Sequence, residues 1–340
     1  MTKDDQITHS AAGATPTGRQ AFSFDQMVTC TACLRANAPT RTACLYCSAP
    51  MPGAGKVNES KSSSQIPIAA ATKNGFNVVI LPSKVEDIAG DFSKLAVLFR
   101  LKEDELVALV RSGEALPVFC ASTQAGAGEL GERLRIAGFE YLIVADKMLN
   151  LNCAPEKIRA LEFLDDCLIG VATNGRRRIS MPWEEIVLIV NGRLNVNRLE
   201  IEQPPGRRKQ KPVVRRELSE DAAVLDLCTG RNGSWRIVAN DFDFTCLGEA
   251  RSMLASENIG LLAEFLTRRS GVRFDNSYNR FRRMLDSVWP IEPETEKSIR
   301  RRAGGGKFST ISTTIRDNNA QFTRYARLRQ HLHARELEKS

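Results

Sequence analysis

The sequence predicts an α+β protein of several domains, and three observations carry that prediction. Two C-x-x-C pairs, Cys30/Cys33 and Cys44/Cys47, stand in one short stretch, CTACLRANAPTRTACLYC. Over 76–145, short β-branched runs alternate with helical periodicity in the order β-α-α-β-α-β. From Ile158 the period switches to strands and stays there until one amphipathic helix closes the run. The predicted architecture is a small cysteine module, a three-stranded α/β sandwich, an antiparallel β-barrel with a C-terminal helix, and a basic helical tail.

Residues 1–25 are polar and short of core formers, and read as a disordered lead-in. In 26–50, four thiolates at this spacing can close a tetrahedral shell around one Zn²⁺, each C-x-x-C turn aiming two sulfurs at the metal. Four free thiols or two disulfides are the alternative. With every corner taken by sulfur there is no position for water or substrate, so Cys30, Cys33, Cys44 and Cys47 are expected to hold a structural zinc. The same residues resemble the zinc finger of the Ran-binding-protein type, C-x2-C-x3-N-x6-C-x2-C, with Asn37 at its asparagine position. The resemblance implies zinc binding. In RNA-binding members of that family the asparagine, arginines and a Trp read bases; Val28 occupies the Trp position in this chain.

Residues 51–73, rich in Pro, Gly, Ser and Lys, read as a flexible linker. The segment 74–148 opens on a strand at 76–81 and continues with a helix at 88–99, whose Ile88, Phe92, Leu95 and Phe99 fall on one stripe. A second helix at 103–111 carries Glu103, Asp104 and Glu105 in its first turn, where carboxylates favour the helix dipole. A strand at 116–121, a helix at 126–137 and a strand at 139–145 complete the unit. On FNVVIL, KLAVLFRLKEDELVALVRSG and ELGERLRIAGFEYLIV the segment resembles the C-terminal domain of the bacterial ribosomal stalk protein, which implies a three-stranded sheet carrying three helices. Gly126, Gly128 and Gly131 spell G-x-G-x-x-G with Asp146 downstream, which admits a nucleotide-binding reading. Residues 122–125 separate that motif from its strand, where the fingerprint needs a turn directly after it.

Across 153–270 the strand runs ALEFLDD, CLIGVAT, RRISM, IVLIVNG and NRLEIE are parted by turn signals such as Asp165-Asp166 and Asn174-Gly175. A basic loop at 203–216 interrupts, AAVLDLCT and WRIVAND resume as a hairpin, and a helix follows with Ala250, Leu254, Leu261 and Phe265 on one face and Leu262 and Leu266 beside it. Strands closed by one helix, together with RISMPWEEI, resemble the pleckstrin-homology-like fold, which implies a bent barrel plugged by that helix. Trp183 reads as a core anchor. A further helix at 275–290 carries Tyr278, Phe281, Leu285 and Val288 and ends at Pro290.

The net charge of +8 is unevenly placed: from Lys297 onward eleven Lys/Arg face three Asp/Glu, an excess equal to that of the whole chain. The tail, 291–340, has Phe322, Tyr325, Leu328 and Leu332 along one helical side. Basic residues interleaved with aromatics suit phosphates and bases, an anionic membrane surface, or solvent alone. The candidate nucleic-acid contacts are Arg207, Arg208 and Lys209 in the loop and Arg300, Arg301 and Arg302 in the tail.

No apolar run approaches the roughly twenty residues a bilayer span needs, and the first thirty residues lack an apolar signal core. A cytoplasmic location is expected, in keeping with Cys120, Cys153, Cys167, Cys228 and Cys246, mostly in apolar surroundings. No catalytic residue is assigned. The three histidines, His9, His331 and His333, lie in the lead-in and tail, and the carboxylate pairs Asp165/Asp166 and Glu184/Glu185 sit at turns. The expected function is a non-enzymatic zinc-binding scaffold or adaptor making protein–protein contacts. Nucleic-acid binding through finger and tail, and nucleotide binding at Gly126–Gly131, are the alternatives.

Overall fold

The computed structural model describes residues 28–30, 32, 35–37, 41, 43–45, 47, 49, 51, 75–82, 93, 96–97, 102–173, 175, 177–203, 214–230, 233–301 and 308–339. Statements of absence below concern these residues. The predicted lead-in, most of the linker and of the helix at 88–99, Cys33, Arg302 and the centre of the basic loop with Arg207, Arg208 and Lys209 lie outside them. The chain divides into two units, Met1–Lys61 and Ser62–Ser340. In the first, β1 (Val28–Thr29) pairs antiparallel with β2 (Ala36–Asn37).

The second unit begins with a three-stranded antiparallel sheet in which β3 (Phe76–Ile80) lies between β4 (Leu116–Ala121) and β5 (Tyr141–Ala145). Helix α1 (Glu103–Arg111) starts with its three acidic residues, and the Glu105 carboxylate accepts the Lys102 N–H at 3.0 Å, closing the first turn. Helix α2 (Gln124–Ile136) is capped by Thr123, whose hydroxyl accepts the Gly126 N–H at 3.1 Å. These helices bury Leu106, Leu109, Val110, Leu130 and Leu134 against Val78, Leu116, Val118 and Val144. The glycines of the candidate fingerprint therefore lie inside α2, and the sheet beside them is antiparallel. The nucleotide-binding reading loses its basis, since that site needs a glycine turn between a strand and a helix of a parallel sheet. Gly131 serves packing instead: a Cβ there would fall 2.1 Å from the Tyr141 ring.

The other sheet has nine strands. Its order is β13-β14-β9-β10-β11-β6-β7-β8, with β12 also on β9. These are β6 (Glu156–Phe163), β7 (Cys167–Ala172), β8 (Arg178–Pro182), β9 (Ile186–Gln203), β10 (Val214–Thr229), β11 (Ser234–Val238), β12 (Arg273–Asp275), β13 (Glu294–Arg301) and β14 (Phe308–Asp317). Two departures from the predicted antiparallel barrel follow. β11 pairs with β6, and β12 with β9, in parallel, and the sheet ends on β8 and β13 instead of closing, a curled half-barrel. Along β9 and β10 the period of two sends Ile189, Leu225 and Leu227 to one core and Leu188, Val190 and Val224 to another.

Helix α3 (Ala255–Ser270) covers the first of these cores with Ile259, Leu262, Ala263 and Leu266. The buried face is turned towards Leu262 and Leu266, expected beside the predicted stripe: Leu254 precedes the helix and is 56% exposed, and Phe265 is 37% exposed. Trp183 is buried on the same side, its Nε1–H donating to the Leu164 carbonyl at 3.0 Å.

Helices α4 (Ser277–Val288) and α5 (Asn319–Lys339) cover the second core, which they share with the three-stranded sheet. The segment 291–340 is thus no free tail over its described length. It contributes β13 and β14, then a helix in which Phe322, Tyr325, Leu328 and Leu332 are buried. Every residue from Tyr325 to Gln330 is buried, so α5 packs on all sides and its cations need partners inside the protein. Arg329 donates to Asp275, to Glu114 at 2.6 Å and to the Ala115 carbonyl at 2.7 Å. Arg324 pairs with Asp146, which also accepts the Gly75 N–H and the Asn77 amide. Arg236, from β11, grips Asp226 with both ends of its guanidinium.

Gly192 on β9 is where α5 comes closest to the sheet: a Cβ there would lie 2.3 Å from the ring of Phe322, itself fully buried. Gly192→Ala should therefore lower stability by about 1–3 kcal/mol through overpacking. Equilibrium urea unfolding measures it.

Candidate metal centre

Two matching turns build the cysteine site. The Cys30 N–H donates to the Arg35 carbonyl at 2.9 Å, and the Cys44 N–H to the Ala49 carbonyl at 2.7 Å, the same five-residue closure in each. Each turn thereby folds back on its own sulfur. The Ala32 N–H donates to Cys30 Sγ at 3.3 Å. The Sγ atoms of Cys30 and Cys47 stand 3.6 Å apart, and those of Cys30, Cys44 and Cys47 all lie within 4.8 Å of one another.

Those separations test the fit. Four sulfurs at the usual Zn–S distance of about 2.3 Å sit roughly 3.8 Å apart at the corners of a tetrahedron. A disulfide would need about 2.05 Å, far shorter than the 3.6 Å between the Cys30 and Cys47 sulfurs. Three close cysteines are positioned to bind a metal ion. The structure brings together three of the four residues expected from the spacing; the fourth, Cys33, lies outside the described residues.

Asn37 joins the two turns. It is 2% exposed; its amide nitrogen donates to the Arg35 carbonyl at 2.8 Å and to Cys44 Sγ at 3.4 Å, and its Oδ1 accepts the Leu45 N–H at 2.8 Å. Every hydrogen-bonding group of that amide has a partner within the finger, so the asparagine is an internal latch here and not a base-reading group. Among the described residues the apolar core of this unit is Cys30, Cys44 and Met51, with Val28, Ala32 and Ala49 packed beside them. So little apolar surface does not offset chain entropy without a further tie.

Elsewhere the described residues hold no second cluster of metal-ligand type. A cleft of about 700 Å³ opens beside the start of α3, lined by Asn240, Phe242, Phe244, Arg251, Ser252 and Met253 among others, and Arg251 is its only ionisable lining residue. Asp165, Asp166 and Glu184 are exposed to solvent. His331 is half-buried, and burial lowers its pKa.

The remaining thiols are mostly sheltered. Burial pushes Cys120 and Cys246 up to about 11 and raises Cys228 as well. A thiol whose folded pKa exceeds its unfolded value stabilises the fold while it stays protonated, and that contribution fades as pH climbs from about 9 towards 11. At pH 8 iodoacetamide should label exposed Cys153 well before Cys120 or Cys228, as read by peptide mass spectrometry.

Comparison with family models, with curated proteins and with solved structures finds no match for this chain. No helix among the described residues is long and apolar enough to cross a membrane.

Proposed function

We propose that the protein is a non-enzymatic adaptor whose N-terminal finger is folded by one structural zinc and whose larger unit offers surfaces to protein partners. The carrying observation is the sulfur geometry: the Sγ atoms of Cys30, Cys44 and Cys47 converge within 4.8 Å of one another, and Cys33 supplies the fourth thiol by sequence. An all-sulfur shell holds a metal without leaving a corner for substrate. The chemistry of the larger unit supports the same reading. Its buried cations Arg236 and Arg329 and the partly buried Arg324 are engaged by Asp226, Asp275 and Asp146 in turn, and none of these groups lines the cleft.

The test compares partners recovered by cross-linking from native lysate with the full chain and with Cys44→Ser. Partners lost with the variant support an adaptor acting through the finger. A metabolite or nucleotide turnover that persists in Cys44→Ser would overturn the non-enzymatic reading.

Nucleic-acid binding is the second reading, and the strand register favours it. β9 and β10 end at Gln203 and Val214, and β13 and β14 at Arg301 and Phe308, with Gln203 opposite Thr310. The ends of the basic loop, Gln203 and Val214, and the end of β13 at Arg300 and Arg301 therefore lie at the same end of the sheet, although some ninety residues separate them in sequence. Truncating the chain at Lys297 would remove β14 and α5 with it, so the loop is the place to test. Arg207→Glu/Arg208→Glu/Lys209→Glu should weaken single-stranded RNA binding and flatten its salt dependence. RNA binding indifferent to that change, or absent at low salt, removes this reading.

A further inference from the structure

The sheet has two edges of opposite character. β8 is five residues long and ends in Pro182, which has no N–H to offer, so it is a poor template for another strand. β13 is eight residues long, contains no proline and pairs with β14 without a bulge. Its other edge meets no strand of the chain among the described residues. Glu294 through Ile299 are all exposed, Ile299 at 75%. Glu294, Glu296 and Lys297 make no ion pair within the chain among the described residues.

The sequence of this edge, ETEKSIRR, is acidic at one end and basic at the other. Two identical strands paired antiparallel about a two-fold axis must place residues of like parity opposite each other, because opposed side chains share a face. Centring the axis on Ser298 sets Glu296 opposite Arg300, twice by symmetry, with Lys297 opposite Ile299 and Thr295 opposite Arg301. The neighbouring registers each oppose like charges: centred on Lys297 they bring two lysines together while setting Glu294 opposite Arg300, centred on Ile299 they set Lys297 against Arg301, and centred on Glu296 they set two glutamates face to face. Of these registers only the one centred on Ser298 pairs opposite charges without also opposing like ones.

We propose that β13 is a homodimerisation edge: two copies of the chain join their sheets through antiparallel β13–β13 pairing in the register centred on Ser298. The backbone supplies the adhesion and the charge order supplies the register.

Sedimentation velocity of the full-length, zinc-loaded protein over a concentration series tests it. Wild type should show a monomer–dimer equilibrium. Glu296→Arg and Arg300→Glu should each weaken the dimer about tenfold or more, since each turns two facing attractions into repulsions. The double variant Glu296→Arg/Arg300→Glu should restore it, which separates a register effect from a folding defect. A monomer at every concentration would overturn the proposal and leave the edge to a different partner. A dimer untouched by the single variants, or a double variant that does not recover, would assign the contact to another surface.

Discussion

Replacing Arg329 by alanine should destabilise the larger unit by about 3–5 kcal/mol, because it leaves a buried carboxylate without its counter-charge. The guanidinium is 5% exposed and joins α5 to two segments far away in sequence: Asp275 at the end of β12, and Glu114 with the Ala115 carbonyl just before β4. Asp275 is 2% exposed at its side chain and also accepts the Ser277 N–H at 2.9 Å, at the start of α4. One side chain thus ties α5 to both sheets. Removing Asp275 together with Arg329 should cost less than the two single changes added, since the uncompensated charge disappears with its partner. Urea unfolding of the two singles and the double measures the coupling; strict additivity would contradict the described pairing.

Chelation of the metal should unfold the finger and leave the larger unit folded. Zinc bound by four cysteines contributes on the order of 10–16 kcal/mol at neutral pH, far above what Met51, Val28 and their neighbours can supply by burial. The larger unit keeps its own cores around Leu225 and Tyr325, neither of which contains a residue of the finger. A chelator titration followed by amide exchange should show protection lost around β1 and β2 and retained in β9 and β10. Cys44→Ser should reproduce the chelated pattern without chelator.

The sequence disclosed most where the signal was local. Glu103–Arg111 and Leu116–Ala121 are bounded as the pattern predicts, because acidic first-turn residues and a β-branched run act within their own segment. The stripe of Tyr278, Phe281, Leu285 and Val288 is buried for the same reason. The long strands were less legible: IVLIVNG and NRLEIE read as two elements, yet they form one strand, β9. Its outer half lacks a fully apolar face and is held by pairing, with β10 on one side and β14 on the other. Periodicity sees burial and is blind to a strand stabilised from both edges. β13 and β14, built of Ser, Thr and charged residues, escaped for that reason.

The terminal helix failed differently. Its apolar side was visible, but its basic residues read as open to phosphates, a membrane surface or solvent, and nothing local reveals that Asp275 and Glu114 receive Arg329 inside the protein. Of the candidate site, C-x-x-C spacing announced the sulfurs directly. The latch at Asn37 was visible as a residue but not as a role, since its partners, Arg35 and Leu45, are backbone groups that carry no sequence signature.

Metal content together with cobalt substitution tests the central claim most directly. Elemental analysis of the purified full chain should give one zinc per molecule, and Co²⁺ exchanged into the site should show the thiolate charge-transfer and d–d absorption of a tetrahedral all-sulfur shell. Both signals should vanish in Cys44→Ser. A chain that carries no metal and whose finger thiols all react freely with a thiol reagent would contradict the account.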